Sequence, residues 1–229
     1  KYRGMDRYEC RKAAVEDLKA AGLLVGIKEI KHMVPRVTRT GEIVEPMLSE
    51  QWYMAMSKPA PEGTLYPNKS IAEVGLEAVT SGEVNIFPAE WRGVYRQWLE
   101  NIQDWCLSRQ LWWGHQIPAW YDESGKVYVA RSEAEAQKQA GEGVKLTRDE
   151  DVLDTWFSSG LWPFSTLGWP DLNSEDLKYW YPTTDMVTGY DIIFFWVARM
   201  VVSGMEQMKK EPFKTVFIHG LVRDDKGRK

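Results

Sequence analysis

The stretch 188–200 combines residue types that could bind a ligand, because Gly189 and Asp191 stand directly before an apolar run. A glycine lets a ligand approach the backbone closely, and a carboxylate accepts hydrogen bonds from hydroxyl or amine groups. Asp191 could instead cap the helix that the apolar run predicts. We favour the ligand-binding role, since the glycine leaves room for a ligand at the start of that helix.

Two predicted strands flank this helix. The first covers 186–187, the helix runs over 191–205, and the second strand covers 213–218. Strand, helix and strand in this order form a βαβ unit with parallel strands, and ligands bind at the carboxyl ends of such strands. We therefore expect Gly189 and His219 to be neighbours on one rim of the sheet. The side chain of His219 could have a structural or a functional role there.

A second cluster of polar residues holds four carboxylates within six positions, which raises the question of a metal site. Calcium loops use a different spacing with a central glycine, and no histidine or cysteine accompanies these carboxylates. The sequence therefore predicts no metal here. The four residues are Asp149, Glu150, Asp151 and Asp154.

The chain has 12 tryptophans, and 11 of them lie between Trp91 and Trp196. Trp91, Trp98, Trp105 and Trp112 recur at intervals of seven residues after Glu90, so they would share one face of a continuous helix. A stripe at helical spacing usually packs into a core. We favour that interpretation over a ligand-stacking platform.

Caps, turn residues and alternation predict the remaining elements. Asp6 and Gly22 bound a first helix. Moderate alternation predicts a strand over 25–37, which Gly41 turns into a second strand through Val44. The other predicted elements are helices over 70–80, 132–140, 159–167 and 174–180, a strand over 84–87, and a hairpin of 116–121 with 126–130.

Composition limits the class of protein. The 229 residues allow one large or two small domains, and a net charge of −4 gives no overall basic field for nucleic acid. The two cysteines, Cys10 and Cys106, do not suggest a disulfide framework and fit a reducing compartment. The longest apolar run, 192–202, is interrupted by Arg199 and is too short to span a bilayer. We expect a cytoplasmic protein with no membrane partner.

Four ordered segments carry a family resemblance. They are Trp-Cys-Leu-Ser-Arg-Gln at 105–110, Asp-Val-Leu-Asp-Thr-Trp-Phe-Ser-Ser at 151–159, Thr-Gly-Tyr-Asp-Ile-Ile-Phe-Phe-Trp at 188–196 and Phe-Ile-His-Gly-Leu-Val-Arg-Asp at 217–224. In order and spacing the set resembles the valyl-tRNA synthetases, which are class I aminoacyl-tRNA synthetases. Isoleucyl and leucyl relatives usually differ at the third segment, where Thr188, Ile192 and Phe195 favour the valyl type.

The resemblance implies an α/β fold in which 46–229 is the C-terminal half of the class I catalytic domain. This half holds the second half of a nucleotide-binding, Rossmann-like parallel sheet with helical insertions. Residues 1–45 would be a small α+β remnant, the C-terminal end of the editing insertion with its connecting strands. The first signature motif would precede residue 1. Lys229 would be the first lysine of the second, the K-M-S-K-S loop.

The implied reaction is the ATP-dependent activation of valine to valyl-adenylate, followed by transfer to tRNA(Val). ATP with Mg²⁺ would be required, and the full-length enzyme would be a monomer. With both signature motifs incomplete, we expect this chain alone to be inactive. A pocket that measures one methyl group gains only about 1–3 kcal/mol of discrimination, which is why the family also edits.

The resemblance also assigns roles to individual residues. Asp191 would hold the ribose and Gly189 would let the ligand approach, while Thr188 would hydrogen-bond near the amino acid or the ribose. His219 and Gly220 would present backbone groups to adenine. The amino acid pocket would be formed by Trp156 and Trp196 as walls and Ile192 as floor, although both tryptophans could instead be ordinary core residues.

One segment departs from the family pattern. Many relatives carry a C-x-x-C-G zinc knuckle where this chain has Val-Thr-Arg-Thr-Gly at 37–41, and Val37 and Thr40 cannot replace the thiolates. We therefore expect no zinc there.

Two alternatives remain open, an isoleucyl-type synthetase fragment and a non-catalytic, aromatic-rich module that binds RNA or sugar. Binding of a valyl-adenylate analogue that depends on Asp191 would separate the synthetase from the module.

Overall fold

The computed structural model describes residues 1–37, 40–45 and 47–229. It divides the chain into two compact units, Lys1–Ser49 and Glu50–Lys229. Each unit is described by itself below.

The first unit contains helix α1, Arg7–Ala20, and Asp6 caps it by accepting hydrogen bonds from two backbone N–H groups, as predicted. The two strands predicted over 25–37 and through Val44 are wrong for the described residues, which show only an isolated bridge between Arg36 and Ile43. The apolar residues of the described part of 25–37 are exposed, Val25 fully, so burial of apolar surface does not stabilise a strand there. Thr38 and Arg39, in the predicted turn, lie outside the described residues.

The second unit contains short strands and helices throughout. In chain order they are β1 (Tyr53–Met54), α2 (Ile71–Thr80), β2 (Asn85–Phe87), α3 (Glu90–Glu100), β3 (Trp105–Cys106), β4 (Ser108–Arg109), β5 (Ala119–Tyr121), β6 (Val127–Val129), α4 (Glu133–Ala140), β7 (Thr147–Arg148), β8 (Val152–Leu153), α5 (Thr155–Gly160), α6 (Trp162–Ser165), α7 (Glu175–Trp180), β9 (Thr183–Gly189), a 3₁₀ turn (Tyr190–Ile192), a π-helical segment (Ile193–Val197), α8 (Ala198–Met208) and β10 (Phe213–His219).

The central sheet is parallel and has the strand order β2-β10-β9. Its main core lies between these strands and helices α2, α3 and α8, and includes Val216, Tyr95 and Met200. The βαβ unit predicted from the sequence is confirmed, although β9 begins three residues earlier than expected. The fold is α/β, with antiparallel pairs β1-β3 and β4-β8 and a three-stranded antiparallel sheet β6-β5-β7 beside it.

The helix predicted from Asp191 to Met205 is not continuous. A 3₁₀ turn and a five-residue π-helical segment precede the α-helix, which runs to Met208. Asp191 lies inside the 3₁₀ turn, where no side chain caps the start, so the alternative role of Asp191 as a helix cap is not observed. Short π-helical segments of this kind are frequent at functional sites.

The predicted seven-residue tryptophan stripe is also interrupted. Helix α3 ends at Glu100, so only Trp91 and Trp98 share it. Trp105 lies in β3, and Trp112 is fully exposed in a later segment. The continuous helix ends because Asn101 leaves the helical conformation, with φ −115° and ψ 17°. Packing into a core is confirmed for Trp91, Trp98 and Trp105 but not for Trp112.

Most of the other predicted elements are confirmed. Ser70 caps α2 in a reciprocal capping box with Glu73, and Ser132 and Ser174 cap α4 and α7. Strands β5 and β6 pair around the predicted turn. The single helix expected over 159–167 is instead divided into α5 and α6, because Pro163 occupies the first turn of a new helix.

Candidate functional site

The carboxyl ends of β9 and β10 meet at one rim of the central sheet, where Gly189 pairs with His219. Gly189 has φ −73° and ψ 153°, a conformation open to any residue. A Cβ atom there would lie 2.7 Å from Asp191 Oδ1 and 2.9 Å from Leu221 Cδ2. The absence of a side chain at Gly189 therefore allows the close approach of these two side chains, and no special backbone angle demands a glycine.

Asp191 projects its carboxylate at this rim, where Lys229 Nζ donates a hydrogen bond to Oδ2. That bond, opposed by partial desolvation and aided by the charge of Lys229, holds the pKa of Asp191 below its usual range. The carboxylate is thus ionised at neutral pH and can only accept hydrogen bonds. The sequence predicted both residues as site members, and the structure brings them together.

His219 and Gly220 lie on the same rim and are exposed. His219 Nδ1 is 2.6 Å from Gly220 O, and because a carbonyl only accepts, Nδ1 carries the proton. No heavy atom lies within 4 Å of a Cβ built on Gly220, so open space adjoins its backbone. Thr188 is only 4% exposed, which leaves it little surface for a ligand.

The aromatic residues predicted for a pocket join α5 to the π-helical segment. The ring of Trp156 stacks on Phe195, with centroids 5.6 Å apart and planes inclined by 27°. Trp196 Nε1 donates a hydrogen bond to Ser159 O at 3.3 Å. Trp156, Trp196 and Ile192 are all half-buried, so each presents part of its side chain to the surroundings.

Two residues that sequence analysis did not single out also lie at the rim. Tyr190 stacks on Trp91, with centroids 5.4 Å apart and planes inclined by 11°. Arg223 Nη2 donates to Tyr190 Oη at 3.1 Å, and its Nη1 donates to Gly227 O. These contacts hold the segment after β10 over the 3₁₀ turn. Tyr190 and Arg223 lie within the family-like segments 188–196 and 217–224, and this membership was the one feature of the sequence that could have indicated a role for them.

The carboxylates of 149–154 have defined roles in the structure. Asp149 Oδ2 accepts hydrogen bonds from Trp52 Nε1 and Tyr121 Oη, each at 2.7 Å. Burial, together with the bond to Asp149, raises the pKa of Tyr121 to about 12. Asp154 caps α5 and is 6% exposed. Asp149 therefore serves as an acceptor for two aromatic side chains, and Asp154 serves as a helix cap.

Two further predictions concern metals and membranes. Across 1–37, 40–45 and 47–229, no group of three His, Cys, Asp or Glu side chains is arranged to hold a metal ion. The predicted absence of zinc at 37–41 falls partly on Thr38 and Arg39, outside the described residues. In the part of the chain that the structure describes, every helix is too short or too polar to cross a bilayer.

Comparison with known proteins identifies the family. Residues 21–229 match the family model of the tRNA synthetases class I (I, L, M and V). The chain is 56% identical over 233 residues to a valine–tRNA ligase of Neisseria gonorrhoeae and 56% identical over 230 residues to one of Clostridium acetobutylicum. Each alignment covers 100% of this chain and 24% of the relative, so the chain spans about a quarter of their length.

A crystal structure of Mycobacterium tuberculosis methionyl-tRNA synthetase bound by methionyl-adenylate is similar in fold. The TM-score is 0.53 at 18% sequence identity, and the match covers 86% of this chain and 31% of that chain. With the parallel βαβ rim and the four motifs in place, the match over 21–229 shows that the chain belongs to the class I tRNA synthetases of the I, L, M and V group.

Proposed function

We propose that this chain is part of a valine–tRNA ligase, which activates valine with ATP and transfers it to tRNA(Val). The observation that carries the proposal is the ionised Asp191 carboxylate beside the paired strand ends of Gly189 and His219. Ligands of parallel sheets bind at such strand ends. The valine–tRNA ligases with 54–57% identity over the whole chain support the choice of amino acid.

The proposed nucleotide site uses the rim. Asp191 accepts hydrogen bonds from the ribose hydroxyls, which replace the ammonium group of Lys229. The backbone of His219 and Gly220 faces adenine across the open space beside Gly220. Thr188 is proposed to contribute a hydroxyl group near the ribose or the amino acid. Because Thr188 is buried, a ligand would have to penetrate below the surface of the rim to contact it.

The proposed amino acid pocket lies between α5 and the π-helical segment. Trp156 and Trp196 form its walls and Ile192 its floor. Flat indole rings suit a branched aliphatic side chain, because they enclose it without offering polar partners. The stack of Trp156 on Phe195 and the bond from Trp196 to Ser159 fix both rings.

ATP use follows from the family, and the Mg²⁺ ion is proposed to bind through the phosphates of ATP. Magnesium usually takes one or two carboxylates together with substrate phosphates and water. The described residues offer no set of carboxylates that would hold the ion by itself. Lys229 is proposed to belong to the phosphate-handling loop as its first lysine.

We propose that the central sheet is the second half of a larger nucleotide-binding sheet, that 46–229 belongs to the catalytic domain, and that 1–45 ends the editing insertion. We also propose a cytoplasmic, monomeric full-length enzyme without zinc at 37–41. Light scattering and metal analysis of the purified full-length protein test the last two statements. A dimer, or stoichiometric zinc that is lost on changing this segment, would contradict them.

Valine-dependent exchange of pyrophosphate into ATP tests the proposed activity in the full-length protein that contains this chain. We expect valine to give the highest kcat/KM among the amino acids. Asp191→Ala should raise the KM for ATP at least tenfold, the loss expected for hydrogen bonds to a charged acceptor. The control is Glu62→Ala, since Glu62 is exposed. Faster exchange with isoleucine, or an Asp191→Ala enzyme that behaves like the control, would overturn the assignment.

A further inference from the structure

A buried carboxylate, Asp154, links the start of α5 to strands β3 and β4. Its Oδ1 accepts a hydrogen bond from the backbone N–H of Trp156 at 3.2 Å. Its Oδ2 accepts from Trp105 Nε1 and from Arg109 Nη2, each at 2.9 Å. Asp154 is 6% exposed, and hydrogen bonds to a charged acceptor are the strong ones. Three donors from two parts of the chain thus fix one side chain.

A cation covers one face of the Trp105 ring. The guanidinium carbon of Arg199, on α8, lies 3.4 Å from the centroid of the Trp105 ring and 5.5 Å from that of Trp98. Arg199 is 8% exposed, and its Nε and Nη1 have no hydrogen-bond partner among the described residues. Burial lowers its pKa to about 10, so it is still charged at neutral pH. The indole of Trp105 therefore lies between the cation on its face and the carboxylate at its edge.

Helix α8, which carries Arg199, also packs against the far end of α5. A Cβ on Gly160, the last residue of α5, would lie 3.2 Å from Arg199 O and 3.0 Å from Ser203 Oγ, so α5 packs against α8 with no room for a side chain. Helix α5 is consequently fixed at its start by Asp154 and at its end by α8. Between these two points lies Trp156, which stacks on Phe195.

We propose that Asp154 is a positioning residue that sets the orientation of Trp156, and thereby the affinity and selectivity for the amino acid side chain. This inference rests on the proposed function, since it assigns Trp156 to the amino acid pocket. Its physical basis is that a pocket distinguishing one methyl group discriminates only about 10- to 200-fold, so a small rotation of a wall removes much of that selectivity. The nucleotide rim is held by other contacts and should be unaffected.

Two substitutions in the full-length protein separate this role from simple support of the fold. Asp154→Ser keeps an acceptor suited to a helix N-cap but cannot bridge to Trp105 and Arg109. Trp105→Phe keeps an aromatic ring beneath Arg199 and removes the N–H donor together with part of the indole ring. We expect the KM for valine to rise about tenfold in Asp154→Ser and about threefold in Trp105→Phe, in proportion to the hydrogen bonds lost. The KM for ATP should stay within about twofold, the selectivity for valine over threonine should fall, and Asp151→Ser is the matched control.

The outcomes distinguish the inference from the proposed function. Wild-type protein without valine-dependent exchange would overturn the proposed function itself. An equal rise in the KM for valine and for ATP, or a lowered Tm with both KM values unchanged, would show that Asp154 only supports the fold. If Asp154→Ser does not fold, Trp105→Phe decides, and an unchanged KM for valine in that variant would overturn the inference.

Discussion

Replacing Gly189 by alanine separates the stability of the rim from its ability to bind a nucleotide. Alanine adopts φ −73° and ψ 153° without strain, so the backbone tolerates the change. The added Cβ lies 2.7 Å from Asp191 Oδ1, whereas ordinary contact begins at 3.4 Å, so this oxygen must move by about 0.7 Å. The contact with Leu221 Cδ2, at 2.9 Å, requires a similar shift.

The expected effects on stability and on affinity differ in size. Both displaced atoms are ends of side chains, and alanine stabilises by about 0.4–1 kcal/mol through the unfolded chain, so the free energy of unfolding should change by less than about 1 kcal/mol. A displaced carboxylate loses a hydrogen bond to the ribose that is worth about 1.5–3 kcal/mol. The affinity for the nucleotide should therefore fall about 10- to 100-fold.

Calorimetric titration of the full-length protein with a non-hydrolysable valyl-adenylate analogue measures the affinity, and urea unfolding measures the stability. Gly93→Ala is the control, because Gly93 lies in α3 and no atom is within 4 Å of its added Cβ. The reasoning is refuted if Gly189→Ala binds the analogue as tightly as wild type. Equal losses in Gly189→Ala and Gly93→Ala would refute it as well.

Three further predictions address packing, the open rim and the hairpin turn. Tyr95→Phe removes a buried hydrogen bond of 3.0 Å from the hydroxyl to Gly75 O, so the free energy of unfolding measured in urea should fall by about 1–2 kcal/mol, and an unchanged value would contradict this. Gly220→Ala meets no atom of the protein, so it should leave the Tm unchanged while raising the KM for ATP several-fold, and an unchanged KM would contradict the proposed adenine contact. The pKa of Asp122 is lowered to about 2, mainly by the hydroxyl of Ser124, so its contribution to stability is complete above the unfolded pKa of about 3.9 and is lost as the pH falls through about 2. An NMR titration of the Asp122 carboxyl carbon with a midpoint near 3.9 would contradict this.

The parallel rim could be predicted from the sequence because its signals are local. Gly189 and His219 each follow a predicted strand, and a helix that connects two strands of one sheet joins them in parallel, usually as neighbours. The pairing of these two residues follows from that connection. The serine caps of α2, α4 and α7 were predictable for the same reason, since a cap bonds to backbone groups two or three residues away.

The cluster around Trp105 could not be predicted in this way. Its contacts join residues that lie 45 or more positions apart, such as Trp105 with Asp154 and Arg109 with Asp154. The seven-residue spacing of tryptophans favoured a continuous helix, but Asn101 ends it without a glycine or proline to announce the end. The contacts of Trp105 with a buried carboxylate and a cation depend on the tertiary structure, and the spacing of residues along the chain does not predict them.

Two aspartates, Asp154 at the start of α5 and Asp191 in the 3₁₀ turn, have different environments in the structure. The capping role considered for Asp191 belongs instead to Asp154, whose Oδ1 accepts the backbone N–H of Trp156. Asp154 is buried and has three donors from the protein, so its position is fixed and little of its carboxylate is accessible to a ligand. Asp191 is paired with one flexible lysine at the rim, and the hydroxyl groups of a ligand can replace that ammonium group. Burial and the number of fixed donors therefore distinguish the carboxylate that positions the pocket from the one that would bind the nucleotide.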